Sequence, residues 1–146
     1  YSALGEYQHA VQDLDEAIRR GVGTKLTYLH RGANHAHLGN HESAIADLNK
    51  VLALDPSNAE AYRARGVAYR GLGDLEKALS DADRAINISP EAAIGYVSRG
   101  LTYTIMGDDR AAQQDYDKAL SLGYDTTTLD KSVQDLKGEI GPSKEN

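Results

Sequence analysis

The sequence has no cysteine among its 146 residues, which excludes a disulfide framework, a thiolate zinc site and a cysteine nucleophile. It has no run of about 18 apolar residues, so we expect no membrane insertion. The formal net charge of -6 argues against nucleic-acid binding, which requires a basic surface. Cysteine-free chains occur in reducing and oxidising compartments alike, so the localisation stays unknown, with a soluble, cytoplasmic protein slightly favoured.

Tryptophan and phenylalanine are also absent, whereas nine tyrosines and 14 glycines are present, many of them at a regular spacing. A period of roughly 20 to 50 residues indicates a repeat architecture. Here the pattern of 59–92 recurs at 25–58 and 93–126, which gives three full repeats, and its later part recurs in 1–24, which we interpret as a truncated first repeat. The positions that carry the period in the central repeat are Tyr62, Arg65, Gly66, Leu72, Gly73, Ala78, Ala85 and Pro90.

Each full repeat is predicted to form a pair of helices, because small and apolar residues follow two stripes of helical periodicity. The first helix should end at Leu72-Gly73-Asp74, since Gly favours a left-handed helix end and Asp caps the next helix. The second should end at Ser89-Pro90. By the same template we predict the last turn of one helix over 1–4 and a second helix over 6–20.

A glycine recurs inside the first helix of every full repeat, at Gly32, Gly66 and Gly100. An interior glycine costs a helix about 1 kcal/mol relative to alanine. Three in the same position need a compensating role, and close approach of the two helices, with Gly66 facing Ala78, provides one.

These residues and this period resemble the tetratricopeptide repeat, a helix-turn-helix unit of 34 residues. The resemblance covers 1–126. It implies an all-α fold, a right-handed superhelical solenoid of antiparallel helix pairs. Arg31, Arg65 and Arg99 depart from the family, which usually has leucine there, and we expect no effect on the fold.

A last helix is predicted over 127–140. Its apolar residues lie on one face, at Leu129, Val133, Leu136 and Ile140. Repeat arrays need a terminal helix with a polar outer face, so we predict a C-terminal capping helix. The remaining 141–146 is polar and contains Gly and Pro, which predicts a disordered tail.

Catalysis needs a convergent set of nucleophile, base and orienting groups, and the sequence offers none, so we predict a non-enzymatic protein without a cofactor. The second repeat is rich in histidine, but His37 and His41 lie on either side of the Gly39 break and do not share a helix face. His35 and His41 stand at tyrosine positions and are expected to pack. We therefore predict no metal site.

The first helix of each repeat has a second face, opposite Tyr62, Gly66 and Tyr69. In the resembling family this face lines a concave groove that holds an extended peptide or a helix of a partner. We therefore predict a protein-protein interaction scaffold whose groove is apolar at both ends and cationic in the middle. The predicted groove residues are Leu26, Leu29, Ala33, His37, Arg63, Val67, Arg70, Ile94, Val97, Leu101 and Ile105.

The first helix of the last full repeat, 93–126, is apolar on both faces and must be covered. A ligand, the chain's own C-terminus and a second copy all remain open as the cover. A polar alternative also exists for the middle of the groove, where Glu60 and Arg63 are spaced to pair with each other.

The alternative function is self-assembly. The apolar stripe of the 6–20 helix is predicted to lack its covering helix and to be exposed as a self-association edge. Two copies joined through this edge would form a homodimer, and an edge docked onto the next molecule's groove would give a head-to-tail assembly. The residues of this predicted edge are Tyr7, Val11, Leu14 and Ile18.

Overall fold

The computed structural model describes residues 3–141 of the chain. These residues form eight α-helices and no strand, so the predicted all-α fold is confirmed for this part of the chain. The helices are α1 (Ala3–Arg19), α2 (Lys25–His37), α3 (His41–Leu54), α4 (Ala59–Gly71), α5 (Leu75–Ile88), α6 (Ala93–Met106), α7 (Asp109–Ser121) and α8 (Thr126–Ile140).

The turn inside each full repeat is formed as its sequence predicts. Gly39, Gly73 and Gly107 adopt left-handed φ values of 78°, 79° and 76°. The carboxylates of Asp74 and Asp108 then accept hydrogen bonds from backbone N–H groups in the first turns of α5 and α7. Each repeat is therefore a helix-turn-helix unit with a glycine end and, in the last two, an aspartate cap.

Helix α1 departs from this pattern. The predicted division into 1–4 and 6–20 is wrong for the described residues, because α1 is continuous from Ala3 to Arg19. Gly5 stands where Gly39 ends a helix, but it is not among the glycines with positive φ. In the full repeats a turn lets a first helix of 13 or 14 residues pack against the second, whereas the residues before Gly5 in this sequence are too few to form a helix of their own, so Ala3 and Leu4 are part of α1. Residues 1 and 2 lie outside the described residues.

The recurring glycines bring the two helices of each repeat into close contact, as predicted. A Cβ atom added at Gly66 would lie 3.3 Å from the carbonyl oxygen of Ala78, and one at Gly100 would lie 2.6 Å from the ring of Tyr116. At Gly32 the distance to the side chain of Leu48 would be 2.8 Å. Only glycine fits these positions without displacing a neighbour.

The repeats stack in chain order. Helices α2 and α3, α4 and α5, and α6 and α7 pack as pairs, and α2, α4 and α6 lie side by side along one face. One hydrophobic cluster joins the repeats 25–58 and 59–92, and a second fills the last repeat and receives α8. The arrangement is a helical repeat solenoid, in which each unit contacts its neighbours rather than a single core.

Helix α8 packs mainly against α6. Leu129 is buried in the second cluster, and Val133 packs against that cluster. The end of α8 is less enclosed, and Ile140 is 50% exposed. Apart from Gly141, the predicted tail 141–146 lies outside the described residues. The capping role of α8 remains a prediction.

Candidate functional site

One face of each first helix carries an arginine that is fixed by acidic or amide side chains. Arg65 donates two hydrogen bonds of 2.8 Å to the carboxylate of Asp81 on α5, in its own repeat. It donates a third of 2.7 Å to the side-chain oxygen of Asn49 on α3, in the preceding repeat. The same three bonds recur at Arg31, with Asp47 and Asp15, and at Arg99, with Asp115 and Asp83. We call these nine bonds the arginine ladder.

The ladder stabilises the fold. The carboxylate of Asp81 is buried and takes both of its bonds from one guanidinium, which raises the pKa of Arg65. The rings of Tyr62 and Tyr69 lie 5.6 and 5.7 Å from the same guanidinium. Paired, hydrogen-bonded and stacked, Arg65 has little capacity left for a ligand.

The ladder was not predicted from the sequence, because an aspartate on a helix surface is usually solvated. The signal was present. Each ladder arginine has an aspartate 16 residues later and an aspartate or asparagine 16 residues earlier. A constant spacing to a charge of opposite sign, in three repeats, predicts a pair.

The opposite face of the first helices contains a cleft of about 490 Å³, which we call the Arg70 cleft. It lies where the C-terminal ends of α2, α4 and α6 approach the end of α8. Its walls combine aliphatic, imidazole and guanidinium groups. Its lining residues include His37, His41, Val67, Arg70, Gly71, Ile105, Leu136, Glu139 and Ile140.

Arg70 is bound much less completely than Arg65. Its guanidinium donates one hydrogen bond of 3.1 Å to the backbone carbonyl of Ser98. Within residues 3–141 it forms no ion pair with a carboxylate. Burial lowers the pKa of Arg70, and the nearby charge of Arg63 also lowers it. The cleft therefore holds a positive charge that has lost part of its water and forms no ion pair among the described residues.

Arg63, the other cationic groove residue, is paired. Its guanidinium donates a 2.8 Å hydrogen bond to the carboxylate of Glu60, one helical turn earlier. In the middle of the groove, Glu60 and Arg63 therefore pair with each other, which is the alternative that their spacing in the sequence allowed. Of the two predicted groove arginines, Arg70 is the one without a carboxylate partner among the described residues.

Two histidines border the cleft. The ring of His37 stacks on Tyr7 of α1, with centroids 4.8 Å apart and an interplanar angle of 11°. Burial, together with the charge of Arg63, lowers the pKa of His37. His41 packs its ring against the backbone of Gly71, and its Nδ1 atom is buried without a hydrogen-bond partner among the described residues.

The apolar groove residues divide by exposure. Leu29 and Val97 are buried inside the two hydrophobic clusters, so their side chains are not available to a ligand. Leu26 and Ile94 are exposed, at opposite ends of the predicted groove. Ala33, Val67, Leu101 and Ile105 are partly buried. Fewer apolar side chains are therefore available to a ligand than the predicted groove contains.

The predicted self-association edge also divides. Val11 is buried, and Tyr7 stacks on α2 through His37, so both face the second repeat rather than an open end. Ile18 contacts the turn at Gly23 just before α2. Leu14 remains partly exposed. Three of the four residues are therefore internal contacts, because they lie on the side of α1 that packs against α2, the first helix of the next repeat.

Two other kinds of site are absent from residues 3–141. No group of three or more acidic or histidine side chains could hold a metal ion there. Across the same residues, no helix is both long and apolar enough to cross a membrane.

Comparison with protein families agrees with the helix pairs. A model of the TPR repeat matches residues 35–73, and two models of the tetratricopeptide repeat match 59–92 and 93–122. A comparison with curated proteins finds no sequence match.

Solved structures of the same fold come from several proteins. A thermophilic TPR protein of Thermus thermophilus has a TM-score of 0.79 at 25% identity, over 95% of this chain and 77% of its own. MamA of Desulfovibrio magneticus RS-1 (41-end) has a TM-score of 0.72 at 27% identity, over 82% and 67%. The first TPR of Spaghetti (RPAP3), bound to the HSP90 peptide SRMEEVD, has a TM-score of 0.68 over 80% and 92%, and its 22% identity shows the fold alone. With family matches spanning the observed helix pairs, the chain belongs to the tetratricopeptide repeat family.

Proposed function

We propose that the chain is a non-catalytic scaffold that binds an acidic segment of a partner protein in the Arg70 cleft. The tetratricopeptide fold supports a role in protein-protein interaction. The observation that carries the finer proposal is Arg70, which is partly buried in the cleft with one neutral hydrogen-bond partner.

A carboxylate is the group that this environment favours. Guanidinium donors bind carboxylates through charge-assisted hydrogen bonds, which are about twice as strong as neutral ones. Part of the cost of removing Arg70 from water has already been met in the free protein, so a ligand carboxylate would gain the attraction with less further desolvation of the cation. Val67 and Ile105, which line the same cleft, suit aliphatic side chains next to the acid.

The proposal is tested by selecting 12-residue peptides from a random display library on the unmodified chain. We expect the selected peptides to combine Asp or Glu with Leu, Ile or Val. Their affinity should fall about 30-fold on Arg70→Ala, because truncation of a binding anchor costs about 2 kcal/mol.

Arg84→Ala is the matched control, since Arg84 is exposed on α5, away from the groove. Gln134→Ala, an exposed change on α8, is a second control. Selected peptides without acidic residues, or with the same affinity for Arg70→Ala as for the controls, would place the binding site elsewhere.

A second candidate function is self-association through the outer side of α1. Leu4 is 56% exposed, and Leu14 is partly exposed although its counterpart one repeat later, Leu48, is 0% exposed. Exposed apolar side chains on one helix face favour association. Sedimentation equilibrium of the chain and of Leu14→Glu tests this candidate. Association that Leu14→Glu abolishes supports it, and a monomer at high micromolar concentration rules it out.

A further inference from the structure

Helix α8 reaches into the cleft that contains Arg70. Leu136, Glu139 and Ile140 of α8 line this cleft, opposite the ends of α2, α4 and α6. The chain's own C-terminal helix therefore partly covers the surface on which the proposed ligand would bind.

This cover is loosely attached. Leu129 is the one residue of α8 that is buried. Two further clefts, of about 470 and 450 Å³, are bounded by α8 on one side and by residues of α6 and α7 on the other. Segments with few buried contacts open at a small fraction of the global free energy of unfolding. The second half of α8 fits that description.

The chemistry of α8 matches the cleft. Leu136, Glu139 and Ile140 are spaced i, i+3 and i+4, so they present two aliphatic side chains and one carboxylate on one helix face. Glu139 and Arg70 line the same cleft, and the charge of Glu139 favours the charged form of Arg70, yet the two do not form an ion pair. The side chains of α8 therefore match the cleft in chemistry, but the ion pair between Glu139 and Arg70 is not formed.

We infer that α8 is a displaceable cover of the Arg70 cleft, and that the partner is an amphipathic acidic helix with the same i, i+3, i+4 pattern of aliphatic, acidic and aliphatic residues. The inference rests on the proposed function and adds its regulation. A partner that brings its carboxylate onto Arg70 replaces Glu139, which stops short of that contact.

The test uses a fluorescein-labelled peptide of residues 131–141 as a probe added in trans. Its affinity is measured by anisotropy on the unmodified chain and on the double variant Leu136→Ser/Ile140→Ser, which keeps Leu129 and Val133. If α8 closes the cleft in about 90% of molecules, the variant should bind about tenfold more tightly. Adding Arg70→Ala to the variant should remove this gain.

The matched control is Lys131→Ser/Asp135→Ser, two exposed changes of opposite charge on α8 outside the Arg70 cleft. It should bind the probe like the unmodified chain. Glu139→Lys, which repels Arg70 without removing an apolar side chain, should bind more tightly than the control. Hydrogen exchange of α2 to α7 verifies that each variant keeps its fold.

Equal affinity of all these proteins for the probe, or no binding to any of them, would overturn the inference. The peptide selection distinguishes this failure from failure of the proposed function. Suppose that library peptides depend on Arg70 and yet bind the unmodified chain and Leu136→Ser/Ile140→Ser equally. That result would support the acidic site and contradict the role of α8 as its cover. If neither protein selects a peptide whose binding depends on Arg70, both the proposed function and the inference about α8 are wrong.

Discussion

Arg65 and Arg70 lie on the same helix, five residues apart, and have opposite surroundings. Arg65 makes three hydrogen bonds to side chains of two other helices, and two tyrosine rings flank it. Arg70 makes one bond to a backbone carbonyl. The comparison teaches that burial of a cation does not itself indicate a binding site. The number of its donors that remain without a partner is what separates a structural arginine from one that can receive a ligand.

The largest effect is expected at the ladder. Asp81→Ala should lower the free energy of unfolding by about 3 kcal/mol, because removing one partner of a buried pair leaves the other charge uncompensated. The carboxylate of Asp81 is 6% exposed. Asp83→Ala, on the same helix, removes a carboxylate that is 52% exposed and should cost less than about 1 kcal/mol. Urea unfolding measures both, and equal losses would show that the ladder's buried bonds have no special weight.

The next effect concerns packing between paired helices. Gly100→Ala should destabilise the protein by about 1 to 3 kcal/mol, since the new methyl group would overlap the ring of Tyr116. Gly138→Ala, in the open part of α8, should stabilise it by up to about 1 kcal/mol through helix propensity alone. Thermal unfolding of the two variants compares the closely packed repeats with the loosely packed α8. A stabilising Gly100→Ala would contradict the close contact.

A smaller effect on stability is expected at Arg70. Replacing a buried charge without a counter-charge by an apolar residue of similar length is often neutral or stabilising. Arg70→Met should therefore leave the free energy of unfolding within about 0.5 kcal/mol of the unmodified value or raise it. Arg65→Met, the matched change on the ladder side, should lower it clearly. A similar loss of unfolding free energy in Arg70→Met and Arg65→Met would contradict the distinction between the ladder face and the cleft face of α4.

The smallest effect concerns His37 and pH. Its pKa is lowered by burial and by Arg63, so the unfolded chain takes up the proton first as the pH falls. Its contribution to stability is therefore complete above the unfolded pKa of about 6.5 and is lost as the pH falls below it. His37→Gln should make unfolding midpoints less dependent on pH between about 7 and 5. A steeper dependence in the variant would reverse the sign of the argument.

Local patterns made much of the fold predictable from the sequence. The Leu72-Gly73-Asp74 turn and the close contact at Gly66 follow from backbone conformation and side-chain size, which a single repeat already contains. Asp81 was harder to interpret, because an aspartate on a helix is usually solvated, and only its fixed spacing from Arg65 indicates burial.

The path of α8 could not be derived in the same way. Periodicity identifies the apolar face of Leu129 and Leu136, but not the helices on which that face rests. That choice depends on the turn at Gly123 and on the space left by α6, both of which are properties of the assembled chain. The same limit applies to Val97, whose burial depends on neighbours that its own helix does not specify.

The ladder has a consequence for how such an array can grow. Residues 59–92 contain an arginine that bonds backward, at Arg65, and an aspartate that accepts a bond from the following repeat, at Asp83. A tandem duplication of this segment would therefore supply both halves of every new junction. Genetic lengthening of the protein by whole units would preserve its inter-repeat bonds, whereas an insertion of any other length would separate donor from acceptor.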